Sequence, residues 1–379
     1  MMRHNIKAEL TESMDSLHFS AKDKERMIRQ LSARQAQPKA QFSVRRAVWI
    51  AAAAVMLVGM LTGAAAFTRW SQTAQTKYNP SQEVKEQAEQ SGLSVMLEET
   101  MGEENPNEVL SVTDQGITIT AVQSIVDNYQ AQITFRIEGF DLPENELPAI
   151  WPVVSIDGDK HFGGLQSGYF FDGLTTNEKG ETVYASNGLP VETDADGCLI
   201  LDFVANDGSL EYTHFISFEK TDGRYMGKEI TFTFQSIDFQ SHEKAGMSVP
   251  QVEGYWELKW PLTGTDSNIK IAPNAKIGDS DVVLLDAEIG QISLRTRYQL
   301  KDYWEGWDEL VDFPQAVQGV RMKDGSEHAC YPGSSGFEDQ EQMIYFIESR
   351  MFNDILELSQ VESLIFHTDS GEAVYIPIA

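Results

Sequence analysis

The chain has 379 residues, a formal net charge of −29 and only two cysteines. This length suits more than one domain, and two cysteines exclude a disulfide framework. The acidic balance argues against a nucleic-acid partner and against docking on an anionic membrane surface.

The charge is unevenly placed. Residues 1–46 hold ten Lys/Arg against five Asp/Glu, a net of +5, whereas residues 71–379 carry −35. Within the basic segment, Ile6, Leu10, Met14 and Leu17 fall at helical spacing. Ser20 opens S-A-K-D, similar to a capping box with Asp23 in place of Glu. Met27, Ile28 and Leu31 then continue an apolar stripe among Lys22, Lys24, Arg26 and Arg29. The segment therefore reads as two short amphipathic helices with a break at His18 and Phe19, followed by a polar tether over residues 35–44 that contains Pro38. Two such helices cannot bury a stable core alone. One reading is a basic tail that only sets topology. The other is a docking element laid helix-in-groove on a cytoplasmic partner, with Leu10, Met14, Leu17, Met27, Ile28 and Leu31 as the contact residues.

Residues 47–67 read AVWIAAAAVMLVGMLTGAAAF and contain no charge. As a helix, 21 residues span about 31 Å, the thickness of a bilayer's hydrocarbon core. Arg45 and Arg46 precede the run, and Arg69 and Trp70 follow it. Cationic residues beside a span favour the cytoplasmic side, so the N-terminus is expected inside the cell membrane and the remaining bulk outside. A cleaved signal peptide is the competing reading, with Ala64-Ala65-Ala66 as the cut site; its charged and apolar regions would both be shorter than those here. Gly59 and Gly63 form a GxxxG step that permits close helix–helix approach and a homodimer within the bilayer.

Residues 71–108 are polar and acidic, with Pro80, Gly92 and Pro106 as breaks, and read as a stalk in which residues 83–90 can form a helix. From Gly116 the hydrophobic period becomes two: Ile117, Ile119 and Ala121, then Ala131, Ile133, Phe135 and Ile137, with a turn at Asp127-Asn128. Strand-like runs follow at 153–156, 198–204, 215–218, 230–234 and 256–260, with Trp256 and Trp260 on a core face. A second set lies at 268–271, 281–289, 291–299, 316–322, 327–331, 363–367 and 373–376, and one short helix is expected over 340–350 from Met343, Ile344 and Ile347, extended by residues 353–358. Many short strands with Gly-rich turns indicate β-sandwiches. The expected class is mainly β: two extracytoplasmic immunoglobulin-like sandwiches over residues 109–265 and 266–379, one transmembrane helix and a short helical cytoplasmic N-terminus.

The run MDSLHFSAKDKERMIRQL, then a basic spacer and one apolar span, resembles the N-terminus of membrane-anchored anti-sigma factors in Firmicutes. Residues 109–140, VLSVTDQGITITAVQSIVDNYQAQITFRIEGF, are similar to the opening of the extracytoplasmic domain of unknown function 4179 that such proteins carry. The resemblance covers residues 10–140 and implies control of an extracytoplasmic-function sigma factor by a single-pass membrane protein. Many anti-sigma domains hold zinc through His-x3-Cys-x2-Cys. Here the inner segment has His4 and His18 but no cysteine, so the sigma contact it implies is zinc-free.

No sequence motif for catalysis is present. The outer histidines 161, 214, 242, 328 and 367 form no spaced ligand pair, and neither G-x-S-x-G nor a phosphate loop occurs. Glu192-Thr-Asp194-Ala-Asp196-Gly197 has the look of a calcium loop, but its twelfth position would be Phe203, so a β-turn is expected. Tyr303-Trp304-Glu305-Gly306-Trp307 suits either a glycan surface or a packed sheet edge. No enzyme activity and no cofactor are expected. The leading expectation is a regulatory membrane protein with a sigma factor and the lipid bilayer as partners; the alternative is a surface-anchored envelope-binding or adhesion module with no sigma partner.

Overall fold

The computed structural model describes residues 70–97, 110–143, 146–177, 179–194, 197–218, 225–240, 248–301, 316–331, 333, 335–339, 341–368 and 370–378. Among the described residues the architecture is mainly β, with two α-helices and two lobes of antiparallel sheet. No described helix is long and apolar enough to cross a membrane, and the 47–67 run lies outside the described residues.

Two helices open the fold: α1 (Gln72–Tyr78) and α2 (Gln82–Gln90). Ser71 and Ser81 cap them, accepting from the Ala74 and Val84 amides. Asn79, with φ of 39°, ends α1 in the left-handed conformation that asparagine tolerates. Residues 71–97 of the segment expected as a stalk are thus folded. Their polar composition hid this, because the apolar contacts come from few residues: Trp70, Ala74, Tyr78, Ala88 and Leu93 are buried in one cluster with Ile125 and Ile292.

The first lobe runs through β1 (Ser94–Met96), β2 (Ser111–Asp114), β3 (Ile117–Val126), β4 (Gln130–Glu138), β5 (Leu147–Ala149), β6 (Val153–Ile156), β7 (Gly163–Phe170), β8 (Leu174–Thr176), β9 (Thr182–Tyr184), β10 (Leu210–Phe218), β11 (Glu229–Gln240) and β12 (Ser248–Pro261). One sheet has the order β1-β3-β4-β10-β7 with β2 also on β3; another joins β12 to β11, with β5 and β6 on β11; β8 and β9 form a small separate sheet. The two larger sheets share one core, since the Phe135 ring of β4 meets Phe232 at 4.9 Å, Phe234 at 5.1 Å and Trp260 at 6.4 Å. Trp256 and Trp260 both sit in it as expected, the former donating its indole N–H to the Ile117 carbonyl at 2.9 Å.

β11 shows the alternation that a half-buried strand requires: Ile230, Phe232 and Phe234 are buried between less buried Thr231 and Thr233. β4 does not. Gln130, Gln132 and Thr134 are as buried as Ala131, Ile133 and Phe135. The polar face of this sheet is therefore covered, and the residues bonded to it show by what: Thr134 donates to the Ser71 hydroxyl at 3.3 Å, and Gln123 accepts from the Ser71 amide at 3.0 Å.

The second lobe contains β13 (Ile269–Ile271), β14 (Ala275–Lys276), β15 (Val283–Ile289), β16 (Ser293–Gln299), β17 (Gly319–Met322), β18 (Glu327–Tyr331), β19 (Ser335–Asp339), β20 (Ile344–Phe352), β21 (Val361–His367) and β22 (Ala373–Pro377). They form one sheet of order β13-β15-β16-β20-β18-β17-β21-β22, with β14 on β15 and β19 on β20. A single apolar cluster takes Leu284 and Tyr298 from one half and Val320, Leu364 and Phe366 from the other, so the sheet curls around its core.

Two sequence expectations are corrected. Residues 344–352 are strand β20, not helix: Met343 has φ of 56°, which breaks a helix, and the aromatic and β-branched residues that follow pair with β16 and β19. The helix expected to continue over residues 353–358 is likewise absent; 353–357 are a bend and irregular backbone, and a short 3-10 turn, Leu358–Gln360, follows. Residues 198–204 form no regular strand but only isolated bridges, and Leu199, Ile200 and Leu201 are exposed. Cys198 is exposed, Cys330 is buried, and both are free thiols.

Candidate functional site

The expected partner contacts Leu10, Met14, Leu17, Met27, Ile28 and Leu31, the Gly59/Gly63 face and the aromatic cluster at 303–307 all lie outside the described residues. Asp194 opens a β-turn, the Gly197 amide donating to its carbonyl at 3.1 Å and the Cys198 amide to its carboxylate at 2.8 Å, and Glu192 flanks it, its carbonyl accepting the Ile200 amide at 2.9 Å. Among the described residues no group of three or more His, Cys, Asp or Glu could hold a metal ion.

The most concentrated polar chemistry lies where α1, α2 and the two lobes meet. The Glu211 carboxylate on β10 receives the first two amides of α1, Gln72 N–H at 2.9 Å and Thr73 N–H at 2.6 Å. These are donors that a helix start leaves unpaired, and a negative charge suits that end of the helix. Cover by α1 desolvates the carboxylate and pushes its pKa above the ordinary range, although the two amides pull it down. Trp70 is buried just before α1 and donates its indole N–H to Glu89 of α2 at 2.8 Å. Gln123 accepts from the Ser71 amide and donates to Ser94 at 2.9 Å, tying the helix start to β1 and β3.

A second anchor joins the lobes. Asp127, buried in the β3–β4 turn, accepts the Tyr129 and Gln130 amides at 3.0 Å on one oxygen. Its other oxygen accepts the Ser293 hydroxyl at 2.6 Å and the Ile292 amide at 3.3 Å, both from the second lobe. Burial pushes its pKa up against these four bonds. Gly290 is required here, because a Cβ at that position would lie 2.4 Å from the carboxylate oxygen. The Tyr129 hydroxyl donates to Glu288, and the Thr265 amide of the connecting segment donates to the Val126 carbonyl at 3.0 Å.

Lys77 closes the junction. Its ammonium lies 4.6 Å from the centre of the Phe215 ring and 3.8 Å from the Met351 sulfur, with no ion pair to it among the described residues. Desolvation lowers its pKa to about 8.

Two other polar features belong to a single lobe. A cleft of about 330 Å³ is lined by Lys270, Arg295 and Arg297 and by Asp286, Glu288 and Glu338; Arg297 bonds Glu338 at 2.6 Å and Asp286 at 2.7 Å, so its charges are internally paired. His214, fully buried in the first lobe, meets the Tyr212 hydroxyl at 3.0 Å and Gln166 at 3.2 Å, and burial lowers its pKa to about 4. That is a satisfied core histidine. None of these sites joins a nucleophile to a base, and the junction's chemistry is that of a joint.

Sequence reading located Asp127 as a turn residue but not as a clamp, and it missed Glu211, Gln123 and Trp70. Glu211 sits in the alternating run Leu210-Glu-Tyr-Thr, where a carboxylate reads as solvent-facing. Nothing local signals that a helix covers it.

The class defined by these features is a mainly β chain of two lobes held by a helical wedge at its first described residues. No protein-family model matches the chain and no curated protein does. Among solved structures it is similar to the crystal structure of the conserved domain protein from Bacillus anthracis, at 13% identity, covering 74% of this chain and 88% of that one, with a TM-score of 0.39. A likeness of that size assigns neither a fold family nor an activity.

Proposed function

We propose that the chain is a single-pass membrane regulator, a zinc-free anti-sigma factor. Residues 47–67 cross the cell membrane and the N-terminal helices hold an extracytoplasmic-function sigma factor in the cytoplasm. The two β lobes, read as immunoglobulin-like sandwiches, face the envelope and sense it. The observation that carries this reading is the absence of slack at the start of the outer part. Only Thr68 and Arg69 separate the apolar run from Trp70, which is already buried, and the next residues are bonded to Gln123 and Glu211. A tether for an adhesion module gains from length and flexibility. A regulator needs its outer state to alter the energetics at its span, and a helix locked to both lobes supplies that coupling.

The test is co-purification from host membranes. The full chain is expected to bring down a sigma factor, and a Leu17→Asp, Ile28→Asp, Leu31→Asp chain inserted to the same level to bring down none. A parent chain that retains no sigma factor of its host contradicts the proposal.

A further inference from the structure

A sheet edge offers unpaired backbone groups to any other strand, and native chains blunt such edges with charge, proline or shortness. Other edges of the two lobes are blunted in that way. β12 carries Glu253, Glu257 and Lys259 and two prolines, β22 has five residues and ends at Pro377, and β13 and β1 have three residues each. β7 differs from them. It ends the first sheet, pairing among the described residues with β10 alone, and its eight residues, GGLQSGYF, contain neither charge nor proline.

The register shows which groups are on offer. The Phe171 amide donates to the Glu211 carbonyl at 2.8 Å, so in the antiparallel ladder Tyr169 and Ser167 also bond β10, opposite Thr213 and Phe215. Gln166 and Gly168 then turn their amides and carbonyls away from β10, to the open side. On one face of this edge Leu165, Ser167 and Tyr169 alternate with them; Leu165 is 47% exposed and Tyr169 46%. On the other face Trp151, 59% exposed, stands against His214, to which Gln166 is bonded at 3.2 Å.

We propose that β7 is a self-pairing edge, through which two copies of this chain join antiparallel about a two-fold axis at Ser167. In this register Gln166 of each copy faces Gly168 of the other, so the outward amides and carbonyls bond one another. Leu165 of each copy faces Tyr169 of the other, so every exposed apolar side chain on that face gains an apolar partner. The contact is isologous, and it closes at two copies. Charge favours a copy over a foreign strand. Residues 71–379 carry −35, so a segment drawn to this chain by its field would be basic and would need carboxylates along the strand that receives it. Residues 163–170 supply none. An uncharged edge is what two strongly acidic copies require in order to meet.

Two Ser167 Cα atoms facing each other across such an axis lie about 4.5 Å apart, which a disulfide can bridge. Cys198 is exposed and Cys330 buried, so Cys198→Ser clears the surface of thiols among the described residues. The full chain with Cys198→Ser and Ser167→Cys, in mild detergent under mild oxidation, is expected to cross-link at several times the yield of a Cys198→Ser, Tyr255→Cys chain, whose cysteine is exposed on the other sheet. Salt is expected to raise the Ser167→Cys yield by screening the two acidic copies. Adding Leu165→Asp, at an exposed side chain, is expected to lower it to the Tyr255→Cys level. Equal yields from the two cysteines overturn the proposal, and so does a dimer that forms without the Ser167→Cys cross-link. Protection of the Gln166 and Gly168 amides from exchange in a chain that sediments as a monomer overturns it too, because another segment would then hold the edge.

Discussion

The carboxylate of Asp127 and the hydroxyl of Ser293 meet at 2.6 Å, across 166 residues of sequence and between the two lobes. The same carboxylate orders its own turn through the Tyr129 and Gln130 amides. One side chain therefore sets the β3–β4 hairpin and the orientation of the second lobe together.

Gly290→Ala drives a methyl group into that carboxylate and is expected to destabilise the chain by about 2–3 kcal/mol. Ser293→Ala removes one charge-assisted bond and is expected to cost about 1–2 kcal/mol. Hydrogen exchange of the Ile292 amide is the measurement, with faster exchange in both variants and more so in Gly290→Ala. Unchanged exchange would remove Asp127 as the clamp.

Glu211→Ala leaves the Gln72 and Thr73 amides without their acceptor, and about 1–2 kcal/mol of α1 docking is expected to go, read as faster exchange at those amides. The pH dependence has a definite sign. Glu211 has a raised pKa in the fold, so its contribution is fully present below the unfolded value of 4.5 and is lost as pH rises through the raised value. Arg136 stands opposite Glu211 in the β4–β10 register, and Asp202 lines the same cleft. Comparing parent with Glu211→Gln cancels the other carboxylates, and the difference is expected to shift in favour of the variant as pH rises through that window. A difference independent of pH would show that the carboxylate is not desolvated.

His214 titrates with the opposite sign. Its pKa falls from 6.5 to about 4 on burial, so its stabilisation is complete above pH 6.5 and is lost as pH falls towards 4. Relative to His214→Gln, the parent is expected to lose about 3 kcal/mol over that interval. Denaturant unfolding at a series of pH values checks this.

Lys77→Met removes a desolvated cation while keeping its stem against Phe215 and Met351. A gain on the order of 1 kcal/mol is expected near pH 7, shrinking above pH 8 as the parent lysine is already neutral. A loss at pH 7 would mean that the ring contact outweighs desolvation.

The strands of both lobes were legible where apolar and polar residues alternate in the sequence: Val153–Ile156 was read to the residue, and the β3–β4 hairpin was read with its turn. Sequence reading failed where tertiary contact overrides local pattern. Met343, Ile344 and Ile347 share a helical spacing, yet Met343 turns left-handed and the run pairs as β20. Residues 71–97 look like solvated linker because Trp70, Ala74, Tyr78, Ala88 and Leu93 supply their packing from scattered positions. The joint was invisible for the same reason: Thr134 and Glu211 are polar residues on the polar side of an alternating pattern, Gln123 follows a register shift after Ala121, and only the docked helix makes that side an interior.

The proposed division of the chain between two compartments is tested most directly by thiol labelling of intact cells. In chains with Cys198→Ser and Cys330→Ser, a single cysteine is placed at exposed Tyr331 (Tyr331→Cys) or at Ser20 (Ser20→Cys) and offered a membrane-impermeant maleimide. The expected result is labelling of the Tyr331→Cys chain in intact cells and of the Ser20→Cys chain only after permeabilisation. The reverse pattern, or equal labelling of both before permeabilisation, would contradict the account.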